Sequence, residues 1–235
     1  MSSFTYLQRR QLLQYGAGFL GTSLAASVLG PLALTPPGAA ADNRPVTPEE
    51  ALQKLVAGNE RFSQQQGRNP RQDQYRLQTV AAGQAPFAAI LGCADSRLPP
   101  EIVFDQGLGD LFVCRIAGNI ATAEEVASME FGALVLGAKA LMVMGHQACG
   151  AVQAALAGGE LPGQIGVLMK SIRTGEPTAP KDSAEALEQA TKANVLRQVE
   201  VLKKSSVLQD LVAQKQLVIV GAFYSLDTGR VTLLS

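Results

Sequence analysis

The sequence predicts an α/β fold, a mainly parallel sheet flanked by helices, and three observations carry that prediction. Four short apolar runs, residues 86–92 (PFAAILG), 111–116, 139–145 (KALMVMG) and 217–222 (LVIVGA), read as buried strands. Helical patterns lie between them, at about 123–136, 149–157 and 184–214, the last in one or two pieces. Strand and helix alternate over lengths that suit parallel crossovers rather than hairpins.

The elements follow in chain order. Arg9-Arg10 precedes an apolar, Gly/Ala-rich run from about Tyr15 to Leu34, then Pro36-Pro37 and Ala39-Ala40-Ala41. A charged start, an apolar middle and a small-residue cleavage site make an export signal, and Arg9-Arg10-Gln11-Leu12-Leu13 is similar to a twin-arginine signal. Cleavage is expected after Ala41. An uncleaved anchor is the alternative, since the run approaches the roughly 20 residues that span a bilayer. Residues 42–235 are expected to form a single catalytic domain. Thr47-Pro48-Glu49-Glu50 starts a helix, with Thr47 as cap and Glu50 completing a capping box. Residues 59–78 are polar and lack a strong period, so they read as a helix end and loop. Residues 175–183, with two prolines, read as a surface loop. Residues 224–234 read as a closing hairpin around Asp227-Thr228-Gly229.

Composition bounds the function. The chain has 235 residues, 47% hydrophobic and 17% charged, enough to bury a sizeable core. Twenty Lys and Arg balance twenty Asp and Glu, which argues against a polybasic nucleic-acid or membrane-surface protein. A single histidine excludes HExxH metalloprotease chemistry and three-histidine zinc sites within one chain, and three cysteines cannot make a disulfide framework.

The chemistry gathers at two strand ends, where open α/β sheets place their sites. One strand run ends at Cys93. Another is followed by His146, with Cys149 three residues on, where a helix begins. One imidazole and two thiolates are a catalytic zinc set that leaves one position for water. A helix start near Cys149 favours its thiolate. Spacing alone leaves two alternatives open: thiols buried as small apolar side chains, and a Cys93–Cys149 disulfide in an oxidising compartment.

The flanking residues narrow the choice. Cys93-Ala94-Asp95-Ser96-Arg97 together with His146-x-x-Cys149-Gly150 resembles the β-class carbonic anhydrases, whose signature is CxDxR followed by HxxC. The likeness extends through LGCADSRLPPEIVFDQGLGDLFVCRIAGN, GHQACGAV and VIVGAFYSLDTGRV, and spans about Ala51 to Val231. It implies that Cys93, His146 and Cys149 bind Zn2+. Asp95 and Arg97 would form a catalytic dyad, with Asp95 a fourth ligand in a closed state. Gln106 and Gly150 are carried over as substrate-contacting positions, Gln106 by reaching a neighbouring subunit's site. The implied activity is reversible hydration of CO2 to bicarbonate and a proton by zinc-bound hydroxide. The implied assembly is a homodimer or tetramer, with the amino-terminal helix crossing to a partner. With the signal, the implied place is the bacterial periplasm or an equivalent lumen, reached through export machinery. No nucleic-acid partner is expected.

Two other functions fit the same residues: hydrolysis of CS2 or COS on the same fold, and a non-catalytic zinc or redox-responsive protein. The second is disfavoured because a structural site needs a fourth permanent ligand and because Asp95 and Arg97 are both present. Cys114 reads as core, Glu124, Glu125 and Glu130 as solvated or interface positions, and Gly107 and Gly109 as turn residues. Some family members carry an inhibitory bicarbonate site built from Trp, Arg and Tyr. This chain has Arg115 but no Trp.

Overall fold

The computed structural model describes residues 46–180 and 182–234. The expected export signal and its expected cleavage point after Ala41 lie outside them. Helix α1 (Pro48–Ser63) begins as its sequence requires. The Glu50 N–H donates to Thr47 Oγ1 at 3.1 Å, and the Thr47 N–H donates to Glu50 Oε2 at 3.0 Å. Each side chain thus satisfies an amide that the helix leaves open. Ala51, Leu55 and Gly58 turn inward. Gly58 permits close approach to the following loop, since a Cβ there would stand 1.8 Å from the Phe104 carbonyl oxygen.

Residues 59–78 hold the expected helix end but differ from expectation after residue 73. They contain the last turn of α1 and the start of a second helix, α2 (Gln74–Ala81), capped by Asp73, whose Oδ1 accepts from the Arg76 N–H at 2.7 Å. No residue of α2 is buried, so no apolar period announces it.

The strands are β1 (Ala88–Gly92), β2 (Leu111–Arg115), β3 (Ala140–His146), β4 (Val218–Tyr224) and β5 (Val231–Leu234). They form one sheet in the order β2-β1-β3-β4-β5. All neighbours are parallel except β4 and β5, which make the expected hairpin, with Gly229 at φ 70° in its turn. Every residue of β1 and β3 is buried, which explains their unbroken apolar runs. Alternate side chains of β3 serve two cores. Met142 and Met144 join Leu55, Ile90 and Val152, whereas Leu141 and Val143 join Leu91, Val195 and Leu208.

The remaining helices are α3 (Pro100–Val103), α4 (Ala123–Glu130), α5 (Gly150–Ala157), α6 (Ile165–Ser171), α7 (Ala184–Leu202) and α8 (Ser206–Ala213). The pattern at 123–136 resolves into α4 followed by a π-helical stretch, Phe131–Val135. The pattern at 184–214 resolves into two helices. Helix α6, like α2, fully buries no residue, although its Leu168 and Met169 pack against the core that holds Met142 and Met144. Among the described residues no helix is long and apolar enough to cross a membrane.

Gly58→Ala is expected to destabilise the fold by roughly 1–3 kcal/mol, because the clash is with backbone and no side-chain rotation relieves it. Urea unfolding of the variant checks this, and an unchanged midpoint would contradict the packing described.

Candidate metal centre

Strand register builds the site. β1 and β3 are adjacent and parallel, with Gly92 opposite Met144. Cys93 therefore leaves β1 beside the end of β3, where His146 is the last residue. Three residues later Cys149 caps α5. Among the described residues, the ligand atoms of Cys93, His146 and Cys149 lie within 4.8 Å of one another, and all three residues are buried. The two sulfurs are 4.0 Å apart and both cysteines are free, so the disulfide alternative is not realised.

The donor set fits zinc, and the imidazole supplies a specific sign of it. His146 Nδ1 lies 2.9 Å from the Gln147 carbonyl oxygen, which can only accept a hydrogen bond. Nδ1 therefore carries the proton and Nε2 keeps its lone pair. Nε2 is buried without a hydrogen-bond partner, as befits an atom reserved for a metal. The thiols point the same way. The Cys149 thiol beside it holds the Cys93 thiol down to about 4, helped by His146 and by the Gly118 N–H, 3.4 Å from Cys93 Sγ. The resulting thiolate, with burial, pushes the Cys149 thiol up, against the first-turn amides of Ala151 and Val152. A second thiolate beside the first is disfavoured by repulsion and burial, and a bound dication would offset that cost.

Asp95 and Arg97 stand between this buried floor and solvent. Arg97 Nε donates to Asp95 Oδ1 at 2.9 Å, its backbone N–H to the same oxygen at 3.0 Å, and Nη2 to Oδ2 at 2.6 Å. That fork holds the Asp95 carboxyl well below the usual carboxylate range. Nη2 also reaches the Ala148 carbonyl at 3.3 Å and so ties the two motif loops together. Asp95 Oδ2 is 3.9 Å from His146 Nε2.

The other carried-over positions are less central. Gly150 is exposed at the start of α5, with open space where a Cβ would stand. Gln106 is buried, and its amide donates to the Phe104 carbonyl beside Gly58, so within one chain it serves the loop after α3. Cys114 is half-buried on β2 against the second core. Glu124 and Glu125 accept from the Thr122 hydroxyl, and Glu130 accepts from the Ser205 hydroxyl at 2.6 Å.

Three supporting groups were not visible as such in the sequence. Arg115 Nε donates to the Cys93 carbonyl at 2.8 Å and Nη2 to the Asp95 carbonyl, clamping the first motif loop. Gly118, at φ 75°, aims its amide at Cys93 Sγ while its carbonyl accepts from Asn194 Nδ2 at 2.8 Å. Gln147 sits between the histidine and the β4–β5 turn. None is itself a ligand-type residue, and Gln147 occupies a variable position of the His146-x-x-Cys149 motif.

The family model described as carbonic anhydrase matches residues 88–231. The chain belongs to the carbonic anhydrase family. "Carbonic anhydrase 2" of Mycobacterium tuberculosis is 38% identical over 191 residues, covering 79% of this chain and 92% of that protein. The carbonic anhydrase of Mycolicibacterium smegmatis is 35% identical over 194 residues, covering 80% and 94%. Solved structures place the chain in the β class. A tetrameric β-carbonic anhydrase of Sordaria macrospora matches with TM-score 0.65 at 25% identity, covering 78% of this chain and 96% of that one. The Coccomyxa β-carbonic anhydrase in complex with acetazolamide matches with TM-score 0.63 at 27% identity, covering 78% and 86%. Zinc is the cofactor of β-carbonic anhydrases, and Cys93, His146 and Cys149 are positioned to bind it.

In the zinc-free protein, Arg97→Ala removes the group that most lowers the Asp95 pKa. The Asp95 titration, followed by carboxyl 13C NMR, is expected to rise toward the ordinary value of about 3.9. An unchanged midpoint would show that the fork does not control the carboxylate.

Proposed function

We infer that the chain is a zinc-dependent carbonic anhydrase that interconverts CO2 and water with bicarbonate and a proton. The observation that carries this reading is the convergence of two thiols and an unpartnered imidazole nitrogen beside a carboxylate already occupied by arginine. Cys93, His146 and Cys149 hold the metal. When bound, zinc supplies Lewis acidity that makes water a nucleophile near neutral pH.

The protein's own groups do the rest. Arg97 keeps Asp95 ionised and engages both its oxygens, so the carboxylate is held back from the metal position. Asp95 accepts a hydrogen bond from the attacking water or hydroxide, which turns a lone pair toward the carbon of CO2. Gly150, exposed at the start of α5, places no side chain in the way of a small molecule there. His146 is buried and its Nδ1 proton is committed to the Gln147 carbonyl, so it does not carry protons outward. With no second histidine in the chain, the released proton passes to buffer or to surface carboxylates.

Two thiolates and a neutral imidazole cancel the charge of Zn2+, so water is polarised less than at a three-histidine site. Stopped-flow CO2 hydration is expected to be fast, to rise from pH 7 to pH 9, and to increase with buffer concentration. Cys149→Ser is expected to lose zinc and at least 100-fold in rate, the order of effect of losing a key catalytic group. Zinc-replete protein inactive at both pH values would overturn the reading and favour CS2 or COS as substrate.

We further propose that the chain is exported through its twin-arginine-type segment as residues 42–235, and that this catalytic domain assembles as a homodimer. β2 is a sheet edge, half-buried along its length, with exposed Phe131 against Phe112 beside it. Periplasmic material is expected to begin at Asp42 and to sediment as a dimer or tetramer. A cytoplasmic, full-length or monomeric product would contradict these two proposals.

A further inference from the structure

The second residue of the His146-x-x-Cys149 motif has more hydrogen bonds than its place in a turn requires. The Gln147 backbone N–H donates to the Tyr224 carbonyl at 2.9 Å. Its Nε2 donates to Asp227 Oδ2 at 2.6 Å. Its Oε1 accepts from the Leu226 N–H at 2.9 Å, from the Asp227 N–H at 3.3 Å and from the Ser225 hydroxyl at 3.3 Å. The side chain thus fills the turn between β4 and β5.

That turn is itself braced. Asn59, buried on α1, donates to the Gly229 carbonyl at 2.8 Å and accepts from the Val231 N–H at 2.8 Å. Gln147 therefore grips a turn held in place from its far side. Its own carbonyl is the group that holds His146 Nδ1–H. A carbonyl's direction follows its peptide plane, and the clamp acts on that residue's backbone and side chain together.

We propose that Gln147 is a positioning residue for the metal: by locking into the β4–β5 turn it fixes the carbonyl that orients His146, and so sets how tightly the site holds zinc. This inference rests on the zinc reading of the site. Groups that orient ligating histidines commonly change metal affinity by about 10- to 100-fold when removed.

The test uses chelator competition for zinc on the full mature protein, with the Co2+–thiolate charge-transfer band as a second readout. Gln147→Ala is expected to weaken zinc binding about 10- to 100-fold and to shift the Co2+ band, while the zinc-free protein still unfolds cooperatively. Gln147→Glu places a carboxylate against Asp227 and is expected to weaken binding in the same range. Adding Asp227→Asn restores a donor–acceptor pair with the roles reversed and the net charge unchanged. The double variant is expected to recover at least about half of the loss on a logarithmic scale. Asp227→Asn alone keeps an acceptor for Nε2 and is expected to bind zinc like the native protein.

Native-like zinc affinity in both Gln147 variants would overturn the inference. So would a folded double variant that recovers nothing. If Gln147→Ala does not fold, the comparison of Gln147→Glu with its double variant decides the matter. A native protein that holds no zinc would overturn the metal reading itself, and the inference with it.

Discussion

The parallel pairing of β1 with β3 is the constraint on which the site depends. Cys93 belongs to one strand end and His146 to the other. They meet because Ala88 lies opposite Ala140 and Gly92 opposite Met144. A slip of one residue would turn Met142 and Met144 toward the wrong core and move Cys93 relative to the imidazole. Burial on both faces enforces the register, since each β3 side chain has an assigned layer. The hydrophobic effect thus sets the positions of polar ligands that it does not itself favour burying.

Charge is then distributed by depth. The thiols and imidazole lie on a buried floor, where two adjacent sulfurs cannot both ionise unaided, so the site favours a dication over protons. Above them the Asp95–Arg97 pair is partly exposed, and the fork keeps a negative group near the metal position without joining it. Arg115 and the Gly118 amide hold the Cys93 side of the floor, and Gln147 the His146 side. The ligands come from two short motifs, but their rigidity comes from β2, α7 and the β4–β5 turn.

Much of this was legible in the sequence for physical reasons. Strands β1 and β3, buried at every residue, leave continuous apolar runs and so stood out, as did β4, which is buried over its second half. The α1 capping box is local chemistry and reads directly. The ligands were legible only together with Asp95 and Arg97, through the resemblance to the β-class carbonic anhydrases, since spacing alone left buried thiols and a disulfide open. Helices α2 and α6 were not legible, since neither fully buries a residue and, at eight and seven residues, each is too short for an apolar period to stand out. Arg115, Asn194 and Gln147 were not legible in their roles because they act through backbone carbonyls that only the folded chain brings near. Gln147 spans to Leu226 and Asp227, a proximity that no local pattern encodes.

The central claim, a buried two-thiolate, one-imidazole zinc centre, is tested most directly by zinc K-edge X-ray absorption on the purified protein. The account predicts one zinc per chain with two sulfur neighbours at about 2.3 Å and two lighter nitrogen or oxygen neighbours at about 2.0–2.1 Å. A shell with one sulfur or none, or a chain that retains no zinc, would contradict it.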